Sequence, residues 1–260
     1  MKTLSDAAKT LPDGPLLTYY GDDFTGSTDL MEAFTASGIS TVLFLQLPRT
    51  EDLDRFKQMR CIGVAGQSRG QNPEWMRREL PAVFKRLAEI GAPIVQYKVC
   101  STFDSAPHVG SIGQAIDLGI EATQAKWSPM VVGAPRLKRF QVFGQLFAGM
   151  HGTVYRIDRH PTMSRHPVTP MDEADLRLHL AKQTNRRIDL IDISDISDSL
   201  AEKKRDELEG DDQPVIMIDV TDLATQIEAG RLVWENRGKQ VFSASSSGLQ
   251  YALTAYWRDQ

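Results

Sequence analysis

The chain carries only two cysteines in 260 residues, Cys61 and Cys100, both in apolar, strand-like runs without metal-ligand spacing. That argues against a disulfide-stapled fold and a cysteine zinc site, and a reducing, cytoplasmic setting is expected. No apolar run approaches the length needed to cross a bilayer. The start, Met1-Lys2-Thr3-Leu4-Ser5-Asp6, turns polar before a signal-length apolar core forms, so neither membrane insertion nor export by a cleaved signal is expected. An excess of positive charge is also lacking: 30 Lys and Arg stand against 34 Asp and Glu, and the formal net charge of -4 gives no general attraction to nucleic acid or anionic membrane. There is no short internal repeat and no low-complexity segment. What remains, 41% hydrophobic and 25% charged, is a globular composition able to bury one large core or two modest ones.

Short β-rich runs alternate with longer amphipathic ones. Strands are expected at Leu16 to Tyr20, Thr41 to Leu45, Arg60 to Ala65, Ile94 to Cys100 and Met130 to Gly133, several of them continuous apolar runs suited to a buried parallel sheet. Helices are expected between them, at Ser27 to Ser37, Pro73 to Ile90 and Gly110 to Lys126. This order predicts an α/β fold, a mostly parallel β-sheet with flanking helices in Rossmann-like layers, as one domain over residues 1–260. Phe140 to Asp158 reads equally as a helix and strand or as a hairpin. An aperiodic arm, Asp158 to Met171, follows, with two His-Pro pairs and two arginines that suit a stiff cationic clamp for an anion. Beyond it the pattern predicts helices at Asp172 to Thr184, Ser197 to Glu209, Thr221 to Glu235 and Gly248 to Trp257, and strands at Asp189 to Ile193, Pro214 to Val220 and Gln240 to Ser243.

The densest chemistry lies in Tyr20-Gly21-Asp22-Asp23-Phe24-Thr25-Gly26-Ser27, between the first strand and its helix. Ligands of open α/β sheets collect at such strand ends. The glycine spacing mimics a phosphate-binding loop, but Ser27 stands where that motif needs lysine, and two carboxylates stand where polyphosphate would lie. Asp22 and Asp23 suit the gripping of hydroxyls, a metal ion or a proton transfer. A helix cap would account for either aspartate taken alone.

Three further strand ends carry polar groups. After the third strand, Arg69 has the fork to pair with a substrate carboxylate, or is an ordinary surface arginine. In Lys98-Val99-Cys100-Ser101-Thr102-Phe103-Asp104-Ser105, a cation in an apolar strand demands a partner, with Asp22, Asp23 and Asp104 as candidates. Ser245-Ser246-Ser247-Gly248 is a small polar turn opening a helix, for which a plain serine cap is the simpler account.

In this order, the Gly21 to Gly26 loop, the Lys98 to Ser105 run, the His166-Pro167-Val168-Thr169-Pro170-Met171 arm and the Ser245 to Gly248 turn resemble the four-carbon acid sugar kinase family, some members of which have been labelled type III effector proteins. The resemblance spans nearly the whole chain. It implies a substrate-binding half of a kinase that phosphorylates acid sugars such as threonate, erythronate or oxo-tetronate from ATP with Mg²⁺. Asp22 and Asp23 would be catalytic, one of them the base for the attacked hydroxyl. Thr25, Gly26, Arg69, Lys98, Ser101, Thr102, Asp104, His160 and His166 would hold the sugar acid, and Ser245, Ser247 and Gly248 the nucleotide.

The family's nucleotide-binding half would begin where this sequence stops, at Gln260, and Ala244 replaces the family's glycine before the serines. The expectation is therefore a chain incomplete for catalysis alone, binding no cofactor tightly, with a separate nucleotide-binding chain and a homodimer as the open partner questions. The rival from another class is a noncatalytic binding or effector-like protein. An aspartate-nucleophile phosphatase would need Asp-x-Asp-x-Thr, and Asp22-Asp23-Phe24-Thr25 has the wrong spacing.

Overall fold

The computed structural model describes residues 11–197, 200–208 and 210–260. Five parallel strands form the main sheet: β1 (Leu17–Gly21), β2 (Thr41–Phe44), β3 (Cys61–Ala65), β4 (Ile94–Lys98) and, from the far end of the chain, β11 (Val241–Ser245), in the order β11-β4-β1-β3-β2. β1 and β11 are buried along their whole length, which is why they read as continuous apolar or small-residue runs. The helices between them are α1 (Phe24–Thr35), α2 (Thr50–Arg55), α3 (Pro73–Glu89) and α4 (Ile112–Thr123). Their starts follow local capping chemistry. Asp23 caps α1, Asn72 caps α3 with Pro73 in the first turn, and Ser111 caps α4.

Two cores enclose the sheet. Met76, Leu80 and Phe84 of α3 pack with Ile112 and Ile116 of α4 on one face. Leu30 and Phe34 of α1 pack with Leu253 and Trp257 on the other. Each such fully buried side chain contributes about 2 kcal/mol from removal of apolar surface from water. From β1 the chain crosses toward β2 and returns through β3, whereas from β4 it proceeds away toward β11, so the order reverses between β1 and β4. That switch point is where an open α/β sheet leaves a crevice.

The chain between β4 and β11 forms β5 (Ser128–Met130), β6 (Arg139–Val142), β7 (Gln145–Met150), β8 (Thr153–Arg156), α5 (Leu176–Leu180), β9 (Ile188–Ile191), α6 (Ile193–Ser197), α7 (Ala201–Leu208), β10 (Val215–Ile218) and α8 (Leu223–Glu235), and α9 (Gly248–Asp259) follows β11. A second parallel sheet, β5-β10-β9, lies beside β11. Pro129 has no N–H to give a ladder, and beside one backbone bond from Ser246 N to Val131 O at 3.2 Å the seam is made by serine hydroxyls. Ser128 Oγ donates to Phe242 O at 2.7 Å, Ser243 Oγ to Pro129 O at 2.8 Å and Ser246 Oγ to Val132 O at 2.7 Å, while Val131 N donates to Ser245 Oγ at 2.8 Å.

The ambiguous Phe140 to Asp158 stretch is the antiparallel meander β6-β7-β8. Both of its turns, Phe143-Gly144 (φ 51° and 77°) and His151-Gly152 (φ 48° and 82°), hold two consecutive left-handed residues, the geometry that two-residue hairpins require. Other boundaries also differ from expectation. β5 lies N-terminal to the expected Met130 to Gly133. The helix expected over Asp172 to Thr184 shrinks to α5, because Leu146 N donates to Ala174 O and holds that segment extended against β7. The sequence pattern predicts neither α2 nor α6. Of the helix expected over Ser197 to Glu209, residues 198, 199 and 209 lie outside the described residues, as do Met1 to Asp6.

Candidate active site

Strand register levels the ends of the central strands. Gly21 of β1 sits opposite both Ala65 of β3 and Lys98 of β4, and Lys98 opposite Ser245 of β11. The four loops that follow therefore open at one edge, across the switch point. Asp22 N donates to Lys98 O at 3.0 Å and Arg69 N to Asp22 O at 3.0 Å, which stitches three of these loops together through the backbone.

The side chains form one charged cluster. Arg69 grips Asp22 in a two-pronged fashion, Nε to Oδ2 at 2.9 Å and Nη2 to Oδ1 at 2.7 Å, and its Nη1 donates to Asp23 Oδ2 at 2.8 Å. Asp23 uses its other oxygen to accept from Gly26 N at 2.5 Å. Lys98, whose side chain is 2% exposed, pairs with Asp29 Oδ2 at 3.2 Å and donates to Val99 O at 3.0 Å. Its direct partner is thus Asp29 on α1, rather than Asp22, Asp23 or Asp104. Gly26 is the point around which the cluster closes. A methyl group there would lie 2.6 Å from Asp23 Oδ1, 3.5 Å from Lys98 Nζ and 3.6 Å from Asp22 Oδ1. Thr25 is exposed at the mouth of this loop.

Burial pushes the Asp22 carboxyl above its ordinary value, opposed by the hydrogen bonds and charge of Arg69 and by the charge of Lys98. For the Arg69 guanidinium, burial acts downward and the hydrogen bonds and charge of Asp22 more than reverse it, leaving it raised. Asp22 is almost sealed, with a side chain 5% exposed, while that of Asp23 is 31% exposed.

The loop after β4 supplies a second polar group. Thr102 Oγ1 lies 2.6 Å from Asp104 Oδ1 and 2.9 Å from Cys100 Sγ. Asp104 Oδ2 accepts from Thr169 Oγ1 at 3.3 Å, and Thr169 Oγ1 lies 3.0 Å from His166 Nδ1. The His-Pro arm is therefore joined to this loop. Phe103 between them holds a left-handed backbone, φ 57°, an uncommon conformation for a residue with a bulky side chain. Ser101 is half-buried beside them.

The arm is built from two 3₁₀ turns, Ile157–Arg159 and Met163–Arg165. His160 Nδ1 accepts from Thr162 N and Met163 N, both at 3.2 Å, and His166 Nδ1 accepts from Thr169 N at 3.0 Å. Burial, and then the charge of Arg139, push the His160 pKa down. His160 thus enters the arm as a neutral acceptor that folds it, rather than as a cation.

In the serine turn, Ser245 Oγ is buried in the seam with β5 and lies 2.8 Å from Ser243 Oγ. Ser247 Oγ is buried at the start of α9 without a partner among the described residues. Gly248 is required by close packing, since a methyl group there would lie 2.2 Å from Gly133 O. Among the described residues, no group of three or more His, Cys, Asp or Glu is placed to hold a metal ion.

Asp29, Arg139 and Thr169 are not among the residues that the sequence marks out. Spacing offered a signal only for Asp29, which lies on the first turns of the helix that Asp23 caps.

The family description "Sugar-binding N-terminal domain" matches residues 17–253, and with them all four loops. The chain belongs to this family. Its relatives are acid sugar kinases. A 3-oxo-isoapionate kinase of Paraburkholderia graminis is 62% identical over 251 residues, covering 96% of this chain and 53% of that protein. A 3-oxo-tetronate kinase of Cupriavidus necator is 29% identical over 184 residues, covering 71% of this chain and 41% of that protein. The chain spans about half the length of the curated relatives it matches. The fold recurs in a Haemophilus influenzae protein, with a TM-score of 0.80 at 23% identity, covering 92% of this chain and 55% of that one. It recurs also in a domain of unknown function from Bordetella bronchiseptica, solved with bound citrate as a domain-swapped dimer, with a TM-score of 0.74 at 20% identity over 94% of this chain and 58% of that one.

Proposed function

We propose that this chain is the substrate-recognising half of an acid sugar kinase and that its substrate is a 3-oxo sugar acid of the 3-oxo-isoapionate kind. The observation that carries this reading is the Asp22–Arg69–Asp23 cluster at the switch point of the parallel sheet. A partly open carboxylate held in place by a guanidinium is suited to accept a hydrogen bond from a substrate hydroxyl and to draw off its proton as phosphate is transferred. The more open Asp23 takes that part, and the sealed Asp22 positions Arg69. Thr102, Asp104 and Thr169 meet the remaining hydroxyls. The 62% identity to a 3-oxo-isoapionate kinase supports the choice of substrate.

ATP with Mg²⁺ would supply the phosphoryl group. In the serine turn, Ser245 and Ser246 are engaged in the seam, and Ser247, with its unpartnered hydroxyl, is the residue fitted to meet a phosphate oxygen. Mg²⁺ would rest mainly on the phosphates, as it commonly does. We place the rest of the nucleotide site in the portion of the relatives' length that this chain does not match, and on this reading the chain alone binds sugar acid without turnover.

The test is calorimetric titration with 3-oxo-isoapionate, 3-oxo-tetronate and D-threonate, with and without Mg-ATP, for the parent chain and Asp23→Asn. Saturable binding of a sugar acid that Asp23→Asn weakens, with no turnover, is the expected result. A folded chain that binds none of the three overturns the reading and leaves a noncatalytic role.

A further inference from the structure

An anionic substrate needs a cation whose charge is not already matched, and the acidic cluster does not offer one. Asp22, Asp23 and Asp29 face Arg69 and Lys98, three carboxylates against two cations, and both cations are in direct ion pairs. A substrate carboxylate brought to Arg69 or Lys98 would meet the aspartates as like charges.

Arg139, at the start of β6, is in the opposite condition. Its Nη1 donates only to neutral carbonyls, those of Leu137 at 3.0 Å, Lys138 at 3.2 Å and Gly149 at 3.3 Å. Its Nε is buried with no hydrogen-bond partner among the described residues. No carboxylate among the described residues pairs with it. A half-buried guanidinium with no carboxylate partner is costly to keep unless something anionic visits it.

Its position matches the need. Arg139 lies opposite Ala148 of β7 and Ala148 opposite Tyr155 of β8, and the Tyr155 ring meets that of His160 edge-on at 5.8 Å, so Arg139 shares the meander face that turns to the His-Pro arm. Ala148 packs in the same core as Val99 and Phe103, which bracket Cys100 in the chain, and Cys100 feels the charge of both Arg69 and Arg139. The half-buried Cys100 thus stands on the loop that leads from Lys98 toward the meander face carrying Arg139.

We propose that Arg139 receives the carboxylate of the substrate, so that the sugar acid lies across Cys100 with its hydroxyl end toward Asp22 and Asp23. The assignment rests on the sugar-acid reading of this site and adds its polarity. It makes Arg139 the residue that separates a carboxylate from the neutral form of the same sugar.

The experiment compares D-threonate with its neutral amide, by calorimetry, for the parent chain, Arg139→Gln and Arg139→Lys. The parent is expected to prefer the acid. Arg139→Gln should weaken threonate binding on the order of tenfold or more while leaving the amide nearly unchanged, and Arg139→Lys should recover part of the preference. A purely structural arginine would weaken both ligands alike. Unchanged discrimination in Arg139→Gln, with threonate still bound, overturns the assignment and leaves the substrate reading standing. A parent chain that binds no sugar acid overturns both. If the variants do not fold, alkylation of Cys100 by neutral iodoacetamide in the parent decides, because Cys61 is fully buried. Protection of Cys100 by threonate and not by the amide supports the assignment, and equal labelling with saturating threonate present overturns it.

Discussion

At the scale of single residues, the Asp22–Arg69 pair does two kinds of work, holding the loop after β1 against the loop after β3 and presenting Asp23. The pair is largely withdrawn from water, so removal of one member leaves the other charged and desolvated. Arg69→Met is expected to destabilise the chain by about 3 kcal/mol. Adding Asp22→Asn to that variant should recover part of the loss, because the stranded charge is gone. Urea unfolding of the three proteins measures this, and a double variant that is less stable than Arg69→Met by a further full increment would count against the pairing. Gly26→Ala is the matching test of the site. Its methyl group, 2.6 Å from Asp23 Oδ1, must displace that carboxylate. Calorimetry should show sugar-acid affinity lowered on the order of tenfold, a change of about 1.4 kcal/mol.

At the scale of elements, Asp219 holds the meander to the second sheet. It is fully buried just beyond β10, and it accepts from Gln141 Nε2 at 3.1 Å, Phe143 N at 2.5 Å, Gly144 N at 3.1 Å and Ile193 N at 3.2 Å. One side chain thereby positions the β6–β7 turn and the start of α6, and through β6 it positions Arg139. Asp219→Ala would strand three backbone donors and one amide. A loss on the order of 3 kcal/mol is expected. Hydrogen exchange should show reduced protection at the amides of Phe143, Gly144 and Ile193, and unchanged protection there would sink the account. The meander was ambiguous in the sequence because its strands are short and half-exposed. Its informative signal was the pair of two-residue loops ending in glycine, Phe143-Gly144 and His151-Gly152.

At the scale of the whole molecule, His179 couples the inserted segment to the main sheet. Its Nε2 lies 3.0 Å from Ser105 Oγ, its ring meets Phe103 edge-on, and its Nδ1 has no partner among the described residues. Burial, then the charge of Lys182, lower its pKa from 6.5 to about 4. The unfolded chain binds this proton more readily than the folded one, so stability is fully present above pH 6.5 and is lost as pH falls toward 4. That loss amounts to about 3 kcal/mol. Buried Asp22 and Asp219, with pKa values raised chiefly by desolvation, act in the opposite sense, costing stability as pH rises through the carboxylate range. The His179→Gln variant isolates the imidazole. Denaturant midpoints across this range should fall less steeply in the variant than in the parent, and parallel profiles would refute the assignment.

The α/β alternation, the parallel sheet and the acidic loop were legible in the sequence because apolar periodicity, capping residues and glycine punctuation are local properties. So was membership of the acid sugar kinase family, through four motifs in a fixed order. The pairing of those motifs was not legible. That Lys98 answers to Asp29, that Arg69 binds two aspartates, and that Arg139 shares the meander face of the His-Pro arm without a carboxylate partner among the described residues all depend on strand order and register, which bring residues 47 and 69 positions apart into contact in the first two cases. Charge in a protein interior is balanced in space, between neighbours that only the tertiary structure supplies.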